Sequence, residues 1–190
     1  MLKVYAAPTI GEDRHAASRK LLQWAYESCT RREMPVIDRG ENGKPFFRDD
    51  LLHFSLSYTA DYCFCAVCDS RIGLDAESCR DVKHALIEGV LSKAEQSVLA
   101  QCDDLQETFM QLWTLKESFC KFTGEGIART KLRETEFTLS GTKPLLLGRE
   151  DLVFSSKKVD MDGTAVVISF CTDKEQTAEL YIGDEKYAEF

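Results

Sequence analysis

The sequence predicts an α+β protein of two similar α+β halves, packed as an intramolecular pseudo-dimer with a ligand cleft at the seam. Three observations carry that expectation. The chain has 190 residues, 44% apolar and 29% charged, which is ordinary folded-domain composition with length enough for a sizeable core. Helical periodicity and strand alternation are both present, in separate segments. The same order of segments also recurs. Helix-like "SRKLLQWAY" precedes the strand–turn–strand "HFSLSYTADYCFCAV", and "FMQLWTLKESFCKF" precedes "LVFSSKKVDMDGTAVVISF". Little residue identity accompanies the repetition, so the likeness is topological. Two halves packed this way leave a crevice between them, a natural place for a small-molecule site. The expected division is 1–70 and 71–190, without a low-complexity linker.

Element by element, an opening strand from Lys3 to Ala7 ends at Pro8. Asp13 is placed to cap a helix through "HAASRKLLQWAYESC", where Ala17, Leu21, Leu22, Trp24 and Ala25 recur with helical spacing. "ENGKPFF" has the turn chemistry of a short hairpin or loop. "LHFSLSYTADYCFCAV" alternates and reads as two strands joined near Thr59 to Asp61. "RIGLDAES" is another short strand. Ser92-Lys93-Ala94-Glu95 forms a capping box that opens the helix "LSKAEQSVLAQC". A longer helix spans 108–122 and stops at Gly124. From Glu136 onward, the strand-like runs "EFTLS", "LVFSSKKV", "TAVVISFCT" and "AELYIG" alternate with turns such as "MDGT".

The net charge is −8, so no overall cationic field recruits nucleic acid or an anionic membrane. A phosphate-rich ligand would need locally concentrated positive charge. The N-terminal stretch lacks the apolar run of a signal peptide and no 18-residue apolar segment occurs, so a cytoplasmic location is expected. The eight cysteines are then expected to stay reduced. In "CFCAVC", strand geometry sends Cys63 and Cys65 to one face and Cys68 to the other, the pattern of small buried hydrophobes rather than a zinc site.

Two charged motifs carry the chemistry. In "IGLDAES", period-two geometry aims Asp75 and Glu77 to one face and Ala76 to the opposite one. Adjacent carboxylates repel and raise each other's pKa unless a cation intervenes, and Mg²⁺ with its preference for hard oxygen ligands suits them. A solvated strand face is the plain alternative. Gly73, just before the pair, lets a backbone or ligand approach closely. The second motif lies in "QLWTLKESFCKFTGEG". Glu117 and Lys121, one turn apart, either form a simple surface pair or supply a third carboxylate and a phosphate-neutralising amine. Lys116 points elsewhere around the helix, toward the far end of a ligand or a structural acid. Together the motifs are the equipment of metal-assisted phosphoryl-group transfer.

"IGLDAE" followed by "WTLKESFCKFTGEG", with Glu117 lying 42 positions after Asp75, resembles the signature of the 4′-phosphopantetheinyl transferases. The longer, surfactin-synthetase-activating type is most similar. "NGKPFF", "FSLSYT", "LSKAEQSVLAQ" and "SRKLL" resemble further family segments, so that the likeness covers residues 13 to 127. It implies two α+β halves with coenzyme A in the seam. It also implies transfer of the phosphopantetheine arm to a serine of an acyl or peptidyl carrier protein, releasing 3′,5′-ADP. By position, Asp75, Glu77 and Glu117 resemble the Mg²⁺ ligands, Lys121 the pyrophosphate-contacting lysine and Lys116 the motif lysine beside it. Glu117, Lys121 and Lys116 are accordingly the expected catalytic residues, with Glu117 or a metal-bound water taking the serine proton. Lys44 and Ser57 fall where the family contacts coenzyme A phosphates, and Arg19 and Lys20 lie near residues that approach the 3′-phosphate and adenine. Tyr58 stands where the family commonly has histidine, and tyrosine offers a phosphate only a neutral hydrogen bond. A non-catalytic homologue that binds coenzyme A or a carrier, and a Mg²⁺-dependent phosphohydrolase or nuclease, are the alternatives. A built-in pseudo-dimer favours a monomer.

Overall fold

A computed structural model describes residues 2–9, 11, 13–126, 129–139 and 143–190. The chain opens with β1 (Leu2–Pro8), α1 (Arg14–Thr30), a ribbon of β2 (Ile37–Arg39) and β3 (Pro45–Phe47), and the hairpin β4 (His53–Tyr58) and β5 (Tyr62–Cys68). It continues with β6 (Ile72–Ser78), α2 (His84–Val90), α3 (Lys93–Leu99), α4 (Leu105–Thr123) and α5 (Arg129–Glu134). A second ribbon, β7 (Phe137–Thr138) and β8 (Leu145–Leu146), and a second hairpin, β9 (Val153–Met161) and β10 (Thr164–Thr172), follow. The strands β11 (Ala178–Ile182) and β12 (Glu185–Glu189) come last.

The mixed α+β plan is drawn twice. In the first sheet β5 pairs antiparallel with both β1 and β4, and in the second β10 pairs antiparallel with both β6 and β9. Among the described residues, each set follows the order strand, helical segment (one helix in the first, four in the second), ribbon, hairpin. The repetition stops at residue 178, where β11 returns to lie parallel to β1 and β12 pairs with β11. The segment 71–190 thus adds two strands to the sheet of the first.

Local chemistry explains the element ends. Asp13 Oδ1 accepts from the N–H groups of His15 and Ala16 at 3.1 and 3.0 Å, opening α1 as expected. Ser92 and Glu95 make both bonds of the capping box. Asp104 caps α4, which begins earlier than the apolar periodicity suggested because its first turn is largely polar. Gly124 closes it at φ 76°. Asp162 and Gly163, at φ 53° and 82°, form the two-residue turn between β9 and β10.

The two sheets face each other across one core, where Leu2, Val4 and Phe64 meet Leu74, Ala76, Ile168 and Phe170. On the outer face of the first sheet α1 packs Leu21, Leu22, Ala25 and Tyr26 against Cys63, Cys65 and Phe54. On the outer face of the second, α4 packs Phe109, Met110, Leu115 and Phe122 with Phe154, Val167 and Cys171. Each fully buried large apolar side chain contributes about 1.5–3 kcal/mol, so α4 can also carry charged groups inward. Cys68 sits in the core between the sheets, opposite in direction to Cys63 and Cys65. Among the described residues, no helix is long and apolar enough to cross a membrane.

At the seam, the edge strands β4 and β6 meet through side chains. The N–H of Leu74 donates to Ser55 Oγ at 2.9 Å and that of Ala76 to Ser57 Oγ at 3.1 Å. Serines two apart on one strand thus serve amides two apart on the other, replacing backbone carbonyls as acceptors.

Candidate active site

Gly73 allows the site to form. A Cβ there would lie 1.9 Å from the Ser118 carbonyl oxygen and 2.4 Å from the Phe122 nitrogen, so the close backbone expected at this glycine is that of α4. On the same face of β6 come Asp75 and Glu77, while Ala76 turns into the core between the sheets. Opposite them α4 presents Glu117, only 5% exposed like Asp75.

The three carboxylates sense one another. Burial pushes the Glu117 carboxyl up to about 7, Asp75 adds to the rise, Lys121 opposes it and Glu77 adds again. Burial and then Asp75 raise Glu77, against the pull of Arg80, whose Nη1 donates to Oε2 at 2.8 Å. Asp75 Oδ1 accepts from Ser57 Oγ at 2.8 Å and from Lys121 Nζ at 2.7 Å. Its other oxygen, Oδ2, is buried and has no hydrogen-bond partner among the described residues.

The sequence reading expected all three acids to converge on one ion. Among the described residues no group of three or more such side chains is assembled closely enough to hold a metal. Glu77 leans on Arg80 and Asp75 on Lys121. The donor set nonetheless fits a hard divalent cation: it is all oxygen, includes one buried unpartnered carboxylate oxygen, and holds two carboxyls whose raised pKa values a nearby cation would lower.

Lys121 reaches the seam. Its Nζ donates to Leu56 O at 3.1 Å, Ser57 Oγ at 3.0 Å and Asp75 Oδ1 at 2.7 Å, filling all three donor positions. It is directed to Asp75 rather than to Glu117, so the simple surface pair that the spacing allowed is not the arrangement found.

Lys116 requires a correction. It was expected among the catalytic residues, yet its side chain is wholly buried in the second core. Its Nζ lies 2.8 Å from Glu95 Oε2 and donates to Leu132 O at 2.7 Å and to Thr135 O. The structural acid, one of the two partners left open by the sequence, is Glu95. Burial lowers the Lys116 pKa while Glu95 holds it up.

A cavity of about 820 Å³ opens at the seam. His15 and Arg19 of α1, Arg39 and Lys44 of the ribbon, Tyr58 of β4 and Lys121 of α4 all line it, and no carboxylate does among the described residues. The positive charge missing from the chain as a whole is concentrated here. Lys44 Nζ donates to Ile72 O at 3.2 Å and Phe122 O at 3.1 Å, tying the ribbon to the second half. Burial and then Arg71 push its pKa down to about 8.

Of the residues the resemblance assigned to coenzyme A, Arg19, Lys44, Tyr58 and Lys121 line one cavity. Lys20 does not. Successive helical residues point about 100° apart, and Lys20 lines a separate depression with Trp24 and Gly183. Ser57 is 3% exposed and lies behind the cavity wall. Sequence reasoning missed His15, whose ring stands edge-on to Tyr58 with centroids 6.0 Å apart. The Tyr58 hydroxyl is also bonded to Ser18 Oγ at 3.1 Å. The available signal was a histidine two positions after the Asp13 cap, at the positive end of a helix. Arg39, at the end of β2, was missed as well.

A family model described as the 4′-phosphopantetheinyl transferase superfamily matches residues 71–171. The chain is 37% identical over 99 residues to 4′-phosphopantetheinyl transferase psf-1 of Bacillus pumilus, covering 50% of this chain and 42% of that protein. It is 35% identical over 120 residues to 4′-phosphopantetheinyl transferase HetI of Nostoc sp., covering 58% of this chain and 50% of that one. The chain thus spans about half the length of these relatives. Among solved structures, Thermotoga maritima holo-acyl-carrier-protein synthase matches with a TM-score of 0.45 and 23% identity, over 57% of this chain and 66% of that one.

Proposed function

The chain belongs to the 4′-phosphopantetheinyl transferase superfamily, and on that premise we propose that it moves the phosphopantetheine arm of coenzyme A onto a serine of an apo carrier protein, releasing 3′,5′-ADP. The observation that supports this most is the double engagement of Lys121, which lines the basic cavity and is ion-paired to Asp75 at 2.7 Å. Lys121 thereby links a basic cavity to an acidic group that lies outside its lining. A substrate that carries phosphates together with a divalent ion requires that arrangement.

Asp75, Glu77 and Glu117 are the residues that would hold Mg²⁺, which supplies positive charge to the pyrophosphate when bound. His15, Arg19, Arg39 and Lys44 bind the phosphorylated nucleotide end, and Leu22, Ile37 and Phe54 on the same wall accept its uncharged base. The carrier serine oxygen bonds to the phosphorus that bears pantetheine, and the bond from that phosphorus to the bridging oxygen of 3′,5′-ADP breaks. The serine proton passes to the Glu117 carboxylate, and Lys121 offsets charge on the departing phosphate. On this reading the protein works as a cytoplasmic monomer whose halves, 1–70 and 71–190, each supply part of the cavity, without nucleic acid or membrane.

The test is to incubate the protein with Mg²⁺, coenzyme A and an apo carrier protein and to weigh the carrier by mass spectrometry. A gain of one phosphopantetheine mass is expected. An unchanged carrier rejects the reading, and coenzyme A cleaved beside an unchanged carrier points to a hydrolase. Asp75→Ala and Glu117→Ala should each lower kcat on the order of 10²–10³-fold in folded protein, whereas near-normal turnover contradicts their assignment.

A further inference from the structure

We propose that Ser57 is a positioning residue for Asp75, turning that carboxylate so that Oδ2 is the oxygen offered to a divalent cation. This rests on the functional reading above and departs from the role that the sequence resemblance implied, a contact to coenzyme A phosphate. The first argument is valence. A serine hydroxyl has one donor and two acceptor lone pairs. Ser57 donates to Asp75 Oδ1 at 2.8 Å, and accepts from the Ala76 N–H at 3.1 Å and from Lys121 Nζ at 3.0 Å. No capacity is left for a phosphate oxygen, and the residue is buried behind the cavity wall.

The second argument is asymmetry. Both hydrogen bonds to the Asp75 carboxylate fall on Oδ1, while Oδ2 is buried and has no partner among the described residues. A free carboxylate rotates about its last bond, and the Ser57 hydroxyl, itself held by the Ala76 amide of the strand that carries Asp75, fixes that rotation. Neighbouring Ser55 supplies a natural control. It accepts the equivalent β6 bond, from the Leu74 N–H at 2.9 Å, and no hydrogen bond links its hydroxyl to Asp75 among the described residues. Ser55 also lines the cavity, so its removal reports on the seam and the cavity wall without the carboxylate, and removing Ser57 reports on the seam together with the carboxylate and the Lys121 bond.

The experiment titrates Mn²⁺, followed by its EPR signal, and Mg²⁺, by calorimetry, into the full chain and into S57A and S55A. It also measures kcat and KM for coenzyme A at saturating Mg²⁺. Groups that orient metal ligands are typically worth 10–100-fold in affinity, so S57A should bind either ion at least tenfold more weakly, with KM for coenzyme A within about twofold of the parent value. S55A should keep the parent metal affinity. If S57A does not fold, S57C keeps the volume with a much weaker hydrogen-bonding group and takes its place in the comparison. A raised KM for coenzyme A with unchanged metal affinity overturns the proposal in favour of a substrate contact. Equal metal-affinity losses in S57A and S55A overturn it in favour of seam packing. A parent protein that binds neither ion in the same titrations removes the functional reading itself, an outcome separable from either result at Ser57.

Discussion

Lys116 and Glu95 form an ion pair inside the second core, Nζ to Oε2 at 2.8 Å, with side chains 0% and 1% exposed. Glu95 does more than neutralise the lysine. Its Oε2 also accepts from the Ser92 N–H that completes the capping box, and its Oε1 from the N–H of Phe137 at the start of β7. One carboxylate thus ties α3, α4 and the second ribbon together.

Breaking such a pair strands a charge in an apolar core, which costs about 3–5 kcal/mol. Lys116→Ala should therefore lower the denaturant midpoint sharply while leaving kcat per folded molecule near the parent value. Unfolding curves combined with active-molecule counting check this. Intact stability with lost turnover would return Lys116 to the catalytic group.

The Glu117 carboxyl gives a pH dependence whose sign follows from its raised pKa. A carboxyl raised in the folded state favours the protonated form, so its contribution is complete below the unfolded value near 4.5 and is lost as pH climbs through about 7. The metal-free protein should weaken across that window by up to about 3 kcal/mol from this group, with Glu77 adding in the same direction. Melting temperatures in EDTA between pH 4.5 and 7.5 measure the slope. Glu117→Gln should flatten it, and an unchanged slope would show that another group carries it.

Gly73→Ala drives a methyl into the backbone of α4, where the Ser118 oxygen would lie 1.9 Å away. Backbone cannot step aside as a side-chain tip does, so a loss of about 3 kcal/mol is expected. Transfer should also fall in whatever protein remains folded, because α4 carries Glu117 and Lys121. Wild-type melting in Gly73→Ala would mean that α4 does not lie against β6.

Tyr58 offers a phosphate only a neutral hydroxyl, and that hydroxyl is already bonded to Ser18. Charge-assisted hydrogen bonds are worth about 1.5–3 kcal/mol. Tyr58→His should accordingly raise the preference for coenzyme A over its dephospho form about tenfold or more in kcat/KM. His15→Ala should lower that preference, since the His15 ring lines the cavity beside Tyr58. An unchanged ratio in both variants removes this corner of the cavity from 3′-phosphate recognition.

What the sequence disclosed was mainly local. Asp13, the Ser92–Glu95 box and the Asp162–Gly163 turn act on atoms a few residues away, so their chemistry is readable from order alone. The Asp75–Glu77 face and the glycine before it were legible because strand period and motif spacing agree. Position on a helix could not reveal that Lys116 faces Glu95 or that Arg19 and Lys20 serve different depressions, because distant partners decide both. The serine acceptors of the seam were hidden for the same reason. A hydroxyl does not announce which strand will lie beside it.

The return of β11 to β1 has a consequence for how the molecule holds together. Residues 2–6 find their parallel partners at 178–182, on the far side of the entire second half, so the two repeats are threaded rather than tethered. Cutting the chain at the 70/71 boundary would leave the earlier sheet missing an inner neighbour. Melting followed at Trp24 and at Trp113 should therefore show one shared transition, reached slowly because so much chain must close before that pairing forms.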